Sequence, residues 1–134
     1  MTTIDLLTIK TLGQQIANIL DSNHINYLVY GSFGKYLHGF DIDKCNDIDI
    51  IIKEIDLNKI YEVFKSDYNC FLYKYGLHAN SKYFANYKNE TFDISFDSYE
   101  HYFLDNGIKL NFHKDCQIID GIKCISFAQA DIQF

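Results

Sequence analysis

Leu28-Val29-Tyr30-Gly31-Ser32, followed by Asn46-Asp47-Ile48-Asp49-Ile50-Ile51, is the stretch on which the fold of this 134-residue chain turns. Asp47 to Lys53 alternates and is rich in isoleucine, so it reads as a strand. A strand's period of two places Asp47 and Asp49 on one face and sends Ile48, Ile50 and Ile52 toward the core. Two carboxylates held side by side repel each other unless a cation lies between them. That arrangement holds Mg²⁺, with waters and substrate phosphates completing its shell. Upstream, Asn26 to Tyr30 is a short apolar run that reads as a buried strand ending at Gly31. A glycine there lets the backbone approach a phosphate, helix N-terminal N–H groups attract anions, and the Ser32 hydroxyl adds a donor. Each piece alone has a plainer explanation: a solvated acidic strand face for Asp-Ile-Asp, a tight turn with an N-cap for Gly-Ser. Their succession, an anion cradle and then a carboxylate pair on the next strand, singles out a phosphate-and-metal site.

Working outward, Leu6, Ile9, Leu12, Ile16, Ile19 and Leu20 fall at helical spacing, so residues 4–22 read as a helix that Gly13 weakens slightly. Ser32 is expected to cap a short helix running through His38 and stopped by Gly39. Asp56 is expected to cap a helix with Leu57, Ile60, Tyr61 and Phe64 on one face. Strands are expected at Cys70–Tyr75, Lys82–Tyr87 and Phe92–Phe96, then a helical turn at Tyr99–Leu104. Ile108–Phe112 reads as a further strand, Gln117–Ile125 as a hairpin turning at Asp120-Gly121, and Ser126 as the cap of a helix from Phe127. The order of elements predicts an α+β (α/β) domain over residues 1–134, a mixed sheet with helices packed mainly on one side.

Composition bounds the chemistry. Hydrophobic residues make up 48% and charged residues 22%, an ordinary globular balance. All 12 basic residues are lysine, so any bound phosphate is held without the bidentate guanidinium fork. A net charge of −6 disfavours non-specific nucleic-acid binding and anionic membrane. Cysteines at 45, 70, 116 and 124 show no CxxC spacing or zinc pattern. With no signal peptide at Met1-Thr2-Thr3-Ile4-Asp5 and no bilayer-length apolar run, a cytoplasmic location with free thiols is expected.

The two quoted motifs resemble the DNA polymerase β-like nucleotidyltransferase superfamily. Its signature is a hydrophobic strand, Gly-Gly or Gly-Ser, a short helix, then Asp-x-Asp between hydrophobics, with a third carboxylate on a neighbouring strand. Asp93, in Thr91-Phe92-Asp93-Ile94-Ser95-Phe96, stands where that third acid is expected. Asp97 shares its predicted strand face and is the alternative. Leu37-His38-Gly39 is similar to small antibiotic-modifying and toxin–antitoxin members. The chain departs from them in carrying Asp41-Ile42-Asp43-Lys44-Cys45-Asn46 where Arg then Thr or Ser is frequent, and in a slightly longer gap, residues 33–46. The resemblance covers about residues 26–97.

The resemblance implies a minimal nucleotidyltransferase fold and a role for each matching position. Gly31 and Ser32 would bind the β,γ-phosphates of an NTP, and Asp47 and Asp49 would ligate Mg²⁺. Asp93 would complete a second metal site, Mn²⁺ being an alternative ion, and help deprotonate a hydroxyl acceptor. Lys35 and Lys44 are the candidates for the cationic role an Arg would take. The implied reaction moves an NMP, with AMP preferred, to a protein, tRNA or small molecule; the alternative is a catalytically inactive binding or interaction module. A homodimer or a helical protein partner is expected to supply what a small domain lacks. The five histidines, at 24, 38, 78, 101 and 113, have no metal-ligand spacing.

Overall fold

Asp5 opens the first helix: its carboxylate accepts from the Thr8 N–H at 2.8 Å, satisfying one of the donors a helix start leaves bare. The computed structural model describes residues 5–42, 45, 47–64, 71–75, 81–87, 90–102 and 109–126. Helix α1 (Leu6–Ser22) buries Ile9, Leu12, Ile16 and Leu20 of the predicted stripe together with Gly13 and Ala17, while Leu6 and Ile19 are partly buried. Gly13 is there for packing: a Cβ on it would lie 2.6 Å from Phe33 Cζ. Phe33 belongs to α2 (Gly31–Leu37), so the two helices touch through a glycine-sized gap.

Helix α2 ends as Gly39 predicts. The Phe40 N–H reaches back to the Lys35 carbonyl, the Gly39 N–H to that of Tyr36, and Gly39 takes φ +89°. Its start corrects the expectation for Ser32. The helix begins two residues earlier, at Gly31, with Tyr30 as N-cap and no side-chain cap bond. Ser32 therefore lies exposed inside the first turn instead of closing it.

The strands are β1 (Tyr27–Tyr30), β2 (Asp47–Ile52), β3 (Phe71–Tyr75), β4 (Ser81–Tyr87), β5 (Glu90–Ser98), β6 (Cys116–Ile119) and β7 (Ile122–Ile125). They form one mixed seven-stranded sheet in the order β3-β4-β5-β2-β1-β7-β6. Strands β2 and β5 pair in parallel, as do β1 and β7, while the other neighbours are antiparallel. Between β2 and β3 a 3₁₀ turn (Glu54–Asp56) leads into α3 (Leu57–Phe64), and α4 (Tyr99–Tyr102) follows β5. The α+β class expected from the order of elements is the observed one.

Strands β6 and β7 form the expected hairpin, with Asp120 at φ +51° and Gly121 at φ +82°, both in the left-handed region that a two-residue turn of this hand requires. Helix α1 is pinned to that turn: Lys10 Nζ lies 2.5 Å from the Asp120 carboxylate and Gln14 donates to the Asp120 carbonyl at 3.0 Å. Ile122 lies beside the Gly13–Phe33 contact, and the Cys124 thiol donates to the Gly34 carbonyl at 3.8 Å, so α1 and α2 share the Ile122–Cys124 side of the sheet.

The strand expected at Ile108–Phe112 is a correction. Lys109–Asn111 is irregular and a turn follows from Phe112. The Asn111 side chain takes the N–H groups of His113 and Lys114, while the Asp115 carboxylate takes the N–H of Asn111. Within the expected strand, the Leu110 N–H goes to the Tyr99 hydroxyl and the Asn111 N–H to Asp115, so neither serves a ladder. Lys44, and the helix expected from Phe127, lie outside the described residues. Cys45, Cys116 and Cys124 are free thiols. No helix among the described residues is long and apolar enough to cross a membrane.

Candidate active site

Strand β2 occupies the middle of the sheet, between β1 and β5. Its burial follows the alternation read from sequence: Asp47 and Asp49 are half-buried, Ile48 and Ile50 buried. Ile51, two residues beyond Asp49, is fully buried, so the acid-bearing side is open only along the first half of the strand.

The register brings the predicted acids together. Asp47 pairs with Asp93, Asp49 with Ser95 and Ile51 with Asp97, while on the other side Tyr30 pairs with Asp49. Neighbouring strands lie about 4.8 Å apart, so the backbones of Asp47 and Asp93 are adjacent and Asp49 stands one register row of the pleat away. The side chain of Asp93 lies outside the described residues. Among the described residues no three His, Cys, Asp or Glu groups are placed to hold a metal by themselves. Asp97, the alternative third acid, stands one register row from Asp49 on the side away from Asp47. It is buried on the row of Ile51, and its Oδ2 accepts the Tyr30 hydroxyl at 2.6 Å.

Gly31 is the second element. It sits at φ +71°, and a Cβ there would lie 2.6 Å from Asp49 Oδ2. The backbone at the start of α2 thus lies directly against the carboxylate of the second acid, a cradle that any side chain would fill. Carboxylate oxygens on a rigid strand, beside main chain that can approach a phosphate, are the hard donor set that suits Mg²⁺ or Mn²⁺. Ser32 and Lys35, three apart, share one side of α2, with Ser32 exposed and Lys35 half-buried.

Two neighbours of the site carry little signal in the sequence. Cys45 is buried and its thiol donates to the Asp47 carbonyl at 3.1 Å. Burial pushes that thiol up to about 11, and the charges of Asp47 and Asp49 push the same way, so it stays protonated beside the acids. Tyr30 ends a buried strand of apolar bodies, where its hydroxyl is the hint that it bonds across the sheet. His38, close to the Gly31-Ser32 turn in sequence, donates from Nε2 to the Ile125 carbonyl at 2.6 Å and ties the end of α2 to β7.

No protein-family model matches the chain, and no curated protein matches it significantly. Solved structures do resemble it. One, named as a candidate nucleotidyltransferase of Thermotoga maritima, is 17% identical with a TM-score of 0.62, over 96% of this chain and 83% of that one. An antigenic nucleotidyltransferase-like protein of Paracoccidioides brasiliensis is 17% identical with a TM-score of 0.59, over 88% of this chain and 59% of that one. A further candidate nucleotidyltransferase, from Helicobacter pylori, is 15% identical with a TM-score of 0.60, over 92% of this chain and 55% of that one. The chain thus spans little more than half the length of the last two. With its central acid-bearing strand, its glycine turn and these neighbours, the chain has the minimal nucleotidyltransferase fold.

Proposed function

We propose that this domain is a Mg²⁺-dependent nucleotidyltransferase, moving an NMP, with AMP preferred, from an NTP to a hydroxyl acceptor. The observation that carries the reading is the contact of the Gly31 backbone with the Asp49 carboxylate, beside Asp47 in register with Asp93. A triphosphate laid on Gly31 and Ser32 lies next to the acids, so charge on phosphate and carboxylate converges where a divalent ion belongs. Lys35, on the side of α2 that bears Ser32, supplies a cation toward the β,γ-phosphates, and Lys44 is the second candidate. Asp47 and Asp49 would hold Mg²⁺, two ions in the full site with Mn²⁺ as substitute, and Asp93 would complete the set. When bound, the ions supply charge neutralisation at the α-phosphorus and at the departing oxygen. Asp93 receives the proton of the acceptor hydroxyl. The acceptor oxygen then bonds the α-phosphorus as the bond to the bridging α,β-oxygen breaks, and pyrophosphate leaves.

The acceptor is a hydroxyl on a protein, a tRNA end or a small molecule; the charge of −6 favours a protein or small molecule. A homodimer or a helical partner is proposed to supply the acceptor side. The test incubates the protein with labelled NTPs, Mg²⁺ and panels of each acceptor class, reading pyrophosphate release. Wild type should turn over, and Asp47→Ala should lose at least about 100-fold. Wild type releasing no pyrophosphate with any NTP, or Asp47→Ala matching wild type, overturns the reading. The absence of arginine favours a second reading, a nucleotide-binding module without turnover. Calorimetric NTP binding with no pyrophosphate release selects it.

A further inference from the structure

The Tyr30–Asp97 hydrogen bond crosses the sheet at the site and joins parts of the chain 67 residues apart. Tyr30 lies on β1 and Asp97 on β5, and β2 runs between them. The bond therefore spans two strand spacings, about 9.5 Å between backbones, which calls for a side chain of tyrosine's length. Its path is set by the register. Tyr30 pairs with Asp49, and Asp97 with Ile51, so the bond passes over the acid-bearing side of β2 between Asp49 and Ile51. Both residues are buried, each 8% exposed. An O–H donor at 2.6 Å from a carboxylate in such surroundings makes a strong, charge-assisted bond.

What the bond joins gives it a role beyond stability. Tyr30 is the residue before Gly31 and the N-cap of α2, so fixing its ring fixes the main chain that lies on Asp49. Asp97 stands on the strand of Asp93, four residues along and therefore on the same side of the pleat. We infer that Tyr30 and Asp97 are positioning residues: their bond holds the Gly31 turn and the Asp93 strand at a fixed separation across β2, and so sets the geometry of the metal-and-phosphate site. This inference rests on the function proposed above. It also gives Asp97 its own task, distinct from that of a third metal ligand.

Tyr30→Phe removes the hydroxyl and keeps the ring, and Asp97→Asn removes the charge and keeps an acceptor. Mn²⁺ affinity is read by calorimetry, alongside kcat and KM for the NTP and folding by circular dichroism. Tyr30→Phe is expected to stay folded, to weaken Mn²⁺ binding on the order of 10-fold and to lower kcat similarly, with KM for the NTP little changed. Asp97→Asn should fall between wild type and Tyr30→Phe, and the double variant should be no worse than Tyr30→Phe alone, because the two act through one bond. A folded Tyr30→Phe with wild-type Mn²⁺ affinity and kcat overturns the inference and leaves the proposed function standing. So does a double variant whose losses multiply. Wild type that binds neither Mn²⁺ nor NTP overturns both.

Discussion

Gly31 and Gly39 bracket α2, both at positive φ, and they separate two costs of adding a methyl group. At Gly39 there is open space, so Gly39→Ala carries only the left-handed strain, about 1–2 kcal/mol, visible as a lower unfolding midpoint. At Gly31 the same strain comes with a Cβ driven into Asp49 Oδ2. Gly31→Ala should therefore cost more stability than Gly39→Ala and also abolish pyrophosphate release, while Gly39→Ala keeps it. Equal losses of activity from both variants would detach the Gly31–Asp49 contact from function. At this scale the sequence says much: the alternation of Asp47-Ile48-Asp49-Ile50 already tells which residues face the core. It does not separate Asp93 from Asp97. The two are four apart on one strand and share its parity, and only contacts between distant segments tell them apart: Asp93 pairs with Asp47, while Asp97 pairs with Ile51 and bonds Tyr30.

Between elements, the packing of α1 on α2 explains a glycine that helix propensity counts as a defect. Gly13→Ala gains about 1 kcal/mol in propensity. It also presses a methyl group to 2.6 Å from the ring of Phe33, which is fully buried and has nowhere to swing. Overpacking of this kind costs about 1–3 kcal/mol, so the net effect should be a lower thermal midpoint; an unchanged or raised one would show that Phe33 gives way freely. Helix α1, β1, β2 and the β6–β7 hairpin are legible because each is defined by local periodicity or turn chemistry. The segment at 108–112 is not. Its alternating apolar residues imitate a strand, yet the Asp115 carboxylate takes the Asn111 N–H, and Leu110 is buried from an irregular chain whose N–H donates to the Tyr99 hydroxyl at 3.0 Å. The cap of α2 is likewise illegible, since Ser32 offers a capping hydroxyl, yet the N-cap is Tyr30, which makes no side-chain cap bond and instead bonds Asp97.

For the molecule as a whole, the buried thiols set the response to alkali. Desolvation lifts Cys124 to about 12 and Cys45 to about 11 from the usual 9.0, and raises the Tyr27 hydroxyl as well. The native state then keeps protons that the unfolded chain gives up, so stability is full below about pH 9 and falls as pH climbs toward the folded values. Urea midpoints measured between about pH 8 and pH 10.5 should decline, and Cys124→Ala, less stable at neutral pH, should show a shallower decline; parallel curves would assign the slope to other groups. The class of fold follows from the sequence of elements, but the order β3-β4-β5-β2-β1-β7-β6 does not, because β2–β5 and β1–β7 pair segments far apart in the chain. That order carries a consequence for synthesis. Every pairing among β1, β2 and β5 is contained in residues 27–98, whereas the strand that covers the far side of β1 comes only at 122–125. On the ribosome the acid-bearing rows are therefore made first, and β1 waits with one edge open until its last neighbour emerges.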